Sequence, residues 1–326
     1  MHKFLVLFLS ILIISCETNP PTTPIIPVTE YGTIKVTSNV SGAIILLNGT
    51  STGKTTPDTL TAKVGNNEIK LVKTDFDTLV VNVNVEKNKT KEVNTNLFAT
   101  NKIVLIEDFA NVSCVPCVTS NKIIEHLVNN KFGTSKLVAI KYPTNFPSPN
   151  DPFYLANKPE CDARMGFYNI LFAPTTIING TLRPASTDSN DVKDKIYSEF
   201  TKVPKFIVNV TGSINGNDYA INISVNVKDI SNLDFSKLVL HTVVTETNIE
   251  FATPPGSNGE TKFYDVMRKM LPTNQGESLG NLNQTGMYNF QRQLTLSSAW
   301  IQSNIHTVVF IQNKDTKEIY QAGSTF

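Results

Sequence analysis

Residues 103–130, reading IVLIEDFANVSCVPCVTSNKIIEHLVNN, constrain this 326-residue chain more than any other stretch. Ile103-Val104-Leu105-Ile106 is a continuous apolar run that ends in the acids Glu107 and Asp108, the pattern of a buried strand. After Cys114-Val115-Pro116-Cys117 the period changes, and Ile123, Ile124, Leu127 and Val128 recur at the spacing of one helix face. Two thiols are therefore expected in the first turn of a helix, just beyond the end of a strand. Pro116 is tolerated there because its missing N–H would have no partner in a first turn anyway. Unpaired N–H groups and the positive end of the helix dipole favour thiolate over thiol at such a position. A Cys pKa then falls from ~8.5 toward ~7 or below, which makes the first thiol nucleophilic near neutral pH.

The N-terminus sets the compartment. Lys3 precedes an apolar run at 4–14, followed by Ser15-Cys16. A helix that spans a bilayer needs about 20 residues, so a run this short reads as a secretion signal and not as an anchor helix. Ile13-Ile14-Ser15-Cys16 resembles the lipobox of bacterial lipoproteins. That resemblance implies a signal peptide at 1–15, lipidation of Cys16, and acyl chains that hold the protein in the cell envelope, at the outer membrane. Exported thiols meet an oxidising environment, where Cys114 and Cys117 can close a disulfide. Residues 16–30 are rich in Pro and Thr and read as a semi-rigid linker. A formal net charge of +1 with interspersed signs leaves no electrostatic footprint for nucleic acid.

The rest reads as a multidomain α+β chain. Between 31 and 99, short alternating runs at 33–37, 43–47, 68–73, 79–85 and 90–97 are strands, with turns at Asn48-Gly49 and Gly65-Asn66-Asn67. This part resembles the PEGA domain, a small β-sandwich, through Gly32-Thr33-Ile34-Lys35-Val36, Leu47-Asn48-Gly49, Thr56-Pro57 and Val64-Gly65. The eponymous tetrapeptide departs to Val40-Ser41-Gly42-Ala43. Within 100–202, the strand at 137–141 follows the Cys-bearing helix as in a βαβ unit. An irregular stretch at 142–159 and a short helix at 160–168 come next. Pro174 then leads a strand into an Asn179-Gly180 hairpin, with Leu182 starting the return strand. A last helix, capped by Asp188 or Ser189, turns Val192, Ile196 and Phe200 inward. From 203 to 326, strands at 206–210, 219–227, 238–245, 290–296 and 306–312 indicate a C-terminal β-sandwich. Residues 253–286 interrupt it as a long Gly/Asn/Pro-rich excursion holding an amphipathic-looking 263–271.

Cys114-Val115-Pro116-Cys117 is similar to the Cys-x-Pro-Cys of thioredoxin-like proteins, and Ala173-Pro174-Thr175 to their cis-proline loop. The resemblance implies a thioredoxin-like α/β domain with Cys114 as attacking thiol, Cys117 as resolving thiol, Pro174 against the disulfide, and Asp108 as a buried acid that handles a proton. Glu107 competes for that last role, because strand neighbours point to opposite faces. Ser113 stands where most of these proteins carry Trp. Residues 101–326 further resemble the twenty-eight-kilodalton outer-membrane-protein family of Gram-negative envelopes, through 104–109, Pro174-Thr175, Asn179-Gly180, 266–271 and 308–313. Two readings stand open. In one, the chain is an anchored thiol–disulfide oxidoreductase whose partners are protein thiols and disulfides. In the other it is a non-enzymatic binding or scaffold protein, with the Cys pair a structural staple and the β modules contacting envelope proteins or glycans. No cofactor or metal is expected: the Cys pair has no second pair and no His-x-x-x-His to complete a zinc site. Cys161 reads as a small buried residue.

Overall fold

The computed structural model describes residues 29–326. The signal at 1–15, Cys16 and all but the last two residues of the 16–30 linker lie outside the described residues.

The first seven strands are β1 (Tyr31–Ser38), β2 (Ile44–Leu47), β3 (Thr50–Thr55), β4 (Asp58–Lys63), β5 (Gly65–Val72), β6 (Leu79–Val85) and β7 (Thr90–Thr95). They form two sheets, ordered β4-β1-β7 and β3-β2-β5-β6. Alternation explains the packing: Ile34 and Val36, Leu60 and Ala62, Ile69 and Leu71, Val83 and Val85 all point into one shared core. Asn48 and Gly49 both take positive φ at the β2–β3 turn, as a two-residue hairpin turn demands. Phe98 leaves this sandwich and packs on Phe200, Tyr197 and Phe132. The Lys136–Asp77 ion pair (2.6 Å) lies across the same junction.

The second part begins with β8 (Val104–Ala110), helix α1 (Val115–His126), which runs on into a wider turn at Leu127–Phe132, and β9 (Leu137–Pro143). Then come α2 (Pro152–Ala156), α3 (Lys158–Tyr168), β10 (Thr175–Ile178) and α4 (Ser189–Phe200). Asp188 caps α4 by accepting from the Asn190 and Asp191 N–H groups, and Val192, Ile196 and Phe200 are buried. No return strand follows Asn179-Gly180; Leu182 makes a single bridge to Ile178. The remaining strands are β11 (Phe206–Asn215), β12 (Asp218–Val227), β13 (Leu238–Glu246), β14 (Ile249–Glu250), β15 (Lys262–Phe263), β16 (Val266–Leu271), β17 (Glu277–Ser278), β18 (Gly286–Thr295), β19 (Ile305–Asn313) and β20 (Ile319–Ser324).

Here the expected α+β arrangement, with a thioredoxin-like α/β domain followed by a separate sandwich, is corrected. Strands hold 44% of the described residues and helices 17%. The β8–β9 pair does not close as a unit of its own, because β9 continues onto β16 and the sheet runs on in the order β10-β8-β9-β16-β13-β19-β20. The segment expected as an amphipathic excursion is thus the strand that fuses the two halves. Helices α2 and α3 cover one face of this sheet, where Tyr154, Cys161, Met165 and Tyr168 meet Phe109, Tyr142, Val243, Met267 and Phe310. The opposite face is shared. Over β8–β10 it is covered by α1 and α4 through Ile124, Leu127, Val192, Ile196 and Phe200. Over β13, β19 and β20 it is covered by the β11-β12-β18 sheet, with Phe206, Ile221, Ile223 and Val225 inward.

Candidate functional site

Cys114 is the N-cap residue of α1 and Cys117 lies in its first turn, with Pro116 where the missing N–H costs nothing. The two sulfurs are bonded at 2.03 Å. Ala110 and Ala173 pack around them, so the loop before β10 lies against the disulfide; the Ala173–Pro174 peptide is cis. Cys114 is 2% exposed and Cys117 0%. The disulfide is therefore present where the sequence placed it, but neither sulfur faces solvent.

Two segments brace the backbone beside the disulfide. From one side, the Asp151 carboxylate, which caps α2, accepts from the Val112 N–H at 2.9 Å and holds the turn before Cys114. From the other side comes the loop between β14 and β15. The Asn258 N–H donates to the Val112 carbonyl (3.2 Å), and its Nδ2 reaches the Cys114 carbonyl (3.4 Å) and Glu260 (2.6 Å). The Asn121 side chain of α1 donates to Glu260 at 2.7 Å, and the Ser257 N–H donates to Ser113 Oγ at 3.3 Å. Gly256 permits this approach, since a Cβ there would stand 2.2 Å from the Val112 carbonyl oxygen. Beneath the strap remains a void of about 10 Å³, bordered by Val112, Asn121 and Glu260, room for one water at most. The sequence names no chemistry in this Gly/Asn/Pro-rich loop, and its partners lie far away in the chain.

Asp108 lies on the α1 face of β8 and is buried. Its Oδ1 accepts from Thr176 Oγ1 at 3.0 Å, while Oδ2 has no partner. Burial raises its pKa, opposed by the charge of Lys141 and by the Thr176 hydroxyl. Glu107, the competing acid, faces the opposite way, and this corrects the alternative assignment. It pairs with Arg164 of α3 on the other side of the sheet and accepts from Tyr168 Oη. Arg164 Nη1 also donates to Gln312 of β19 at 3.0 Å. This buried network ties α3 to both halves of the sheet. Cys161 is buried on α3, and burial pushes its thiol well above the usual range, so it is no third reactive sulfur. Among the described residues, no three of the His, Cys, Asp and Glu side chains are grouped as metal ligands.

The PEGA domain family matches residues 31–101, and the family described as outer membrane protein Omp28 matches 162–324, half of the chain. Neither match supports the thioredoxin-like resemblance, and the disulfide falls in the stretch between the two. No curated protein matches at a significant level. Among solved structures the chain resembles HBP35 of Porphyromonas gingivalis, at 16% identity and TM-score 0.58, over 70% of this chain and 76% of that one. A domain of the outer membrane lipoprotein Omp28 from the same organism matches at 12% identity and TM-score 0.28, over 38% of this chain and 88% of that one. At such identities the likeness to HBP35 concerns the fold alone. Among the described residues, no helix is long and apolar enough to cross a membrane. The match over 162–324 assigns the family and with it a cell-envelope setting: the chain belongs to the outer membrane protein Omp28 family.

Proposed function

We propose that this protein is a lipid-anchored, non-enzymatic binding or scaffold protein of the outer membrane, in which Cys114–Cys117 is a structural clasp. The observation that carries this reading is the burial of both cysteines, 2% exposed at Cys114 and 0% at Cys117, beside a strap at 251–261 that hydrogen-bonds the Val112 and Cys114 carbonyls. Disulfide exchange needs a thiolate to approach one sulfur along the bond, and a buried bond offers no such path. The disulfide instead fixes the first turn of α1, while Asn258 hydrogen bonds tie the strap to the turn at Val112. Anchoring through Cys16 follows from the lipobox resemblance at 13–16. The contacts with envelope proteins or glycans then belong to the β modules, which make up most of the chain.

The test is a Cys117→Ser trap expressed in the native host beside a Cys114→Ser/Cys117→Ser variant. The clasp reading expects no mixed-disulfide adducts from the trap and an unchanged set of co-purifying envelope proteins from the double variant. Recovery of adducts through Cys114 would overturn it. Cys16→Ala should shift the protein from the membrane to the soluble fraction; retention at the membrane would refute the lipid anchor.

A further inference from the structure

On the face of the sheet away from the disulfide, a cleft of about 650 Å³ opens between α3, the start of β13, the end of β19 and the turn at 273–276. That volume lies within the range of roughly 300–1,000 Å³ that holds small molecules. Its floor is polar and buried. Arg164 and Gln312 are 2% and 0% exposed, and they bond to each other. An arginine has five N–H donors. Arg164 directs Nε and Nη2 to Glu107 and Tyr168 and one Nη1 hydrogen to Gln312, which leaves a second Nη1 hydrogen without an assigned acceptor.

His241 supplies a second, independent observation. It is 5% exposed, stacks on its cross-strand neighbour Phe310 at 4.9 Å, and its buried Nδ1 has no hydrogen-bond partner. Burial, reinforced by the Arg164 charge, holds its pKa well below the usual value. The imidazole is therefore neutral at physiological pH and offers one donor and one acceptor. A buried polar atom left unpaired costs roughly 1–3 kcal/mol, so this ring is unusual unless something else completes it. Gly276, at positive φ, brings the roof of the cleft to this ring: a Cβ there would stand 2.9 Å from Nδ1.

The lining also selects a ligand by charge. Arg164 and Lys314 line the cleft together with Asn, Gln and Ser side chains, and no carboxylate does. Most nearby acids are engaged elsewhere, Glu107 with Arg164, Glu160 with Lys269, Glu277 with Arg292 and Asp315 with Lys237, and Asp234, which Lys314 reaches by charge, accepts from Ser236. Lys314 forms no ion pair among the described residues, and Phe167 adds an aromatic wall.

We propose that this cleft binds a small hydroxylated carboxylate of the uronic-acid class, with the carboxylate between Lys314 and Arg164, hydroxyls on His241 and Gln275, and the apolar sugar face on Phe167. This goes beyond the binding-protein reading and does not depend on the disulfide, which lies across the sheet. Failure here leaves the clasp untouched, and the trap experiment leaves this site untouched.

The test is a ligand-observed NMR titration of the full chain with D-glucuronate, using D-glucose as the neutral control. Glucuronate is expected to saturate with Kd about 1 mM or tighter, and glucose to bind at least tenfold more weakly. Lys314→Glu, at an exposed position, should weaken glucuronate at least tenfold without disturbing the fold; His241→Phe should do the same. No saturable glucuronate binding, equal binding of glucose, or an unchanged Kd in Lys314→Glu would overturn the proposal.

Discussion

Glu107 and Asp108 are neighbours on one strand, both buried, and they meet opposite circumstances. Glu107 points to the α3 face, where it accepts from Arg164 and Tyr168, and Gln312 bonds both of those in turn. Asp108 points to the α1 face, toward the helix that carries the disulfide, and keeps one oxygen unpaired. On one side a buried charge is fully compensated and joins β8, α3 and β19, three elements far apart in the chain. On the other side a carboxyl is left incomplete and is driven toward its neutral form. The two faces of one strand therefore divide the work. The α3 face holds the fused sheet together, and the α1 face is closed by a covalent clasp and a strap.

Removing a single partner on the α3 face should have the largest effect. Arg164→Met leaves the Glu107 carboxylate buried and uncompensated, and a broken buried pair costs about 3–5 kcal/mol. Urea unfolding monitored by circular dichroism should show that loss, and the Glu107→Leu/Arg164→Met double variant should recover much of it. A double variant no better than the single one would mean that the network, and not the stranded charge, sets the stability.

On the α1 face, Cys114→Ser/Cys117→Ser should cost about 2 kcal/mol, the loop-closure entropy of a ring this short. The protein should stay folded, because the strap hydrogen bonds through Asn258 are separate from the S–S bond. Complete unfolding of this variant would show that the clasp carries more than its entropy.

Asp108 predicts a smaller, pH-dependent effect. Its pKa is raised in the folded protein, so between the unfolded value near ~4 and the folded value the native state binds more protons. Stability should therefore fall as pH rises from about 4. Asp108→Asn should flatten that fall and gain on the order of 1 kcal/mol at pH 7, the lower end of the cost of an unpaired buried group. An unchanged pH profile would show that Asp108 is not the group responsible.

The junction with the N-terminal sandwich should respond least to charge. Lys136–Asp77 is partly exposed, and Lys136→Ala should cost no more than about 0.5 kcal/mol, with the remainder of the contact left to Phe98. A larger loss would make that junction electrostatic.

Local pattern was enough to read much of this molecule. Ile221, Ile223 and Val225 alternate with polar residues, and the chain indeed places them in the core. Asp188 announces α4, and Asn48-Gly49 announces its hairpin. What stayed hidden depends on distant partners. Val266–Leu271 is buried on both sides and does not alternate, and its Arg268 and Lys269 look solvent-facing until Glu246 and Glu160 arrive from elsewhere. That strand turns two expected domains into one sheet. The Cys pair was legible as two thiols at a helix N-terminus. Its surroundings were not, because the residues that brace the turn before it lie in a loop more than a hundred residues later, where no local rule links Asn258 to Val112. His241 and Arg164 were equally unremarked, being ordinary residues until the fold brings them to one cleft.

The account rests most directly on the inaccessibility of the Cys114–Cys117 bond. The decisive measurement is its rate of reduction by dithiothreitol in the native protein, followed by quenched alkylation and mass spectrometry, against the same chain in urea. If the bond is buried in the folded chain, native reduction should be slower than in urea by two orders of magnitude or more, on the order of the fraction of time a local segment held by ~3 kcal/mol is open. Equal rates in the two states would contradict a buried clasp and return the pair to exchange chemistry.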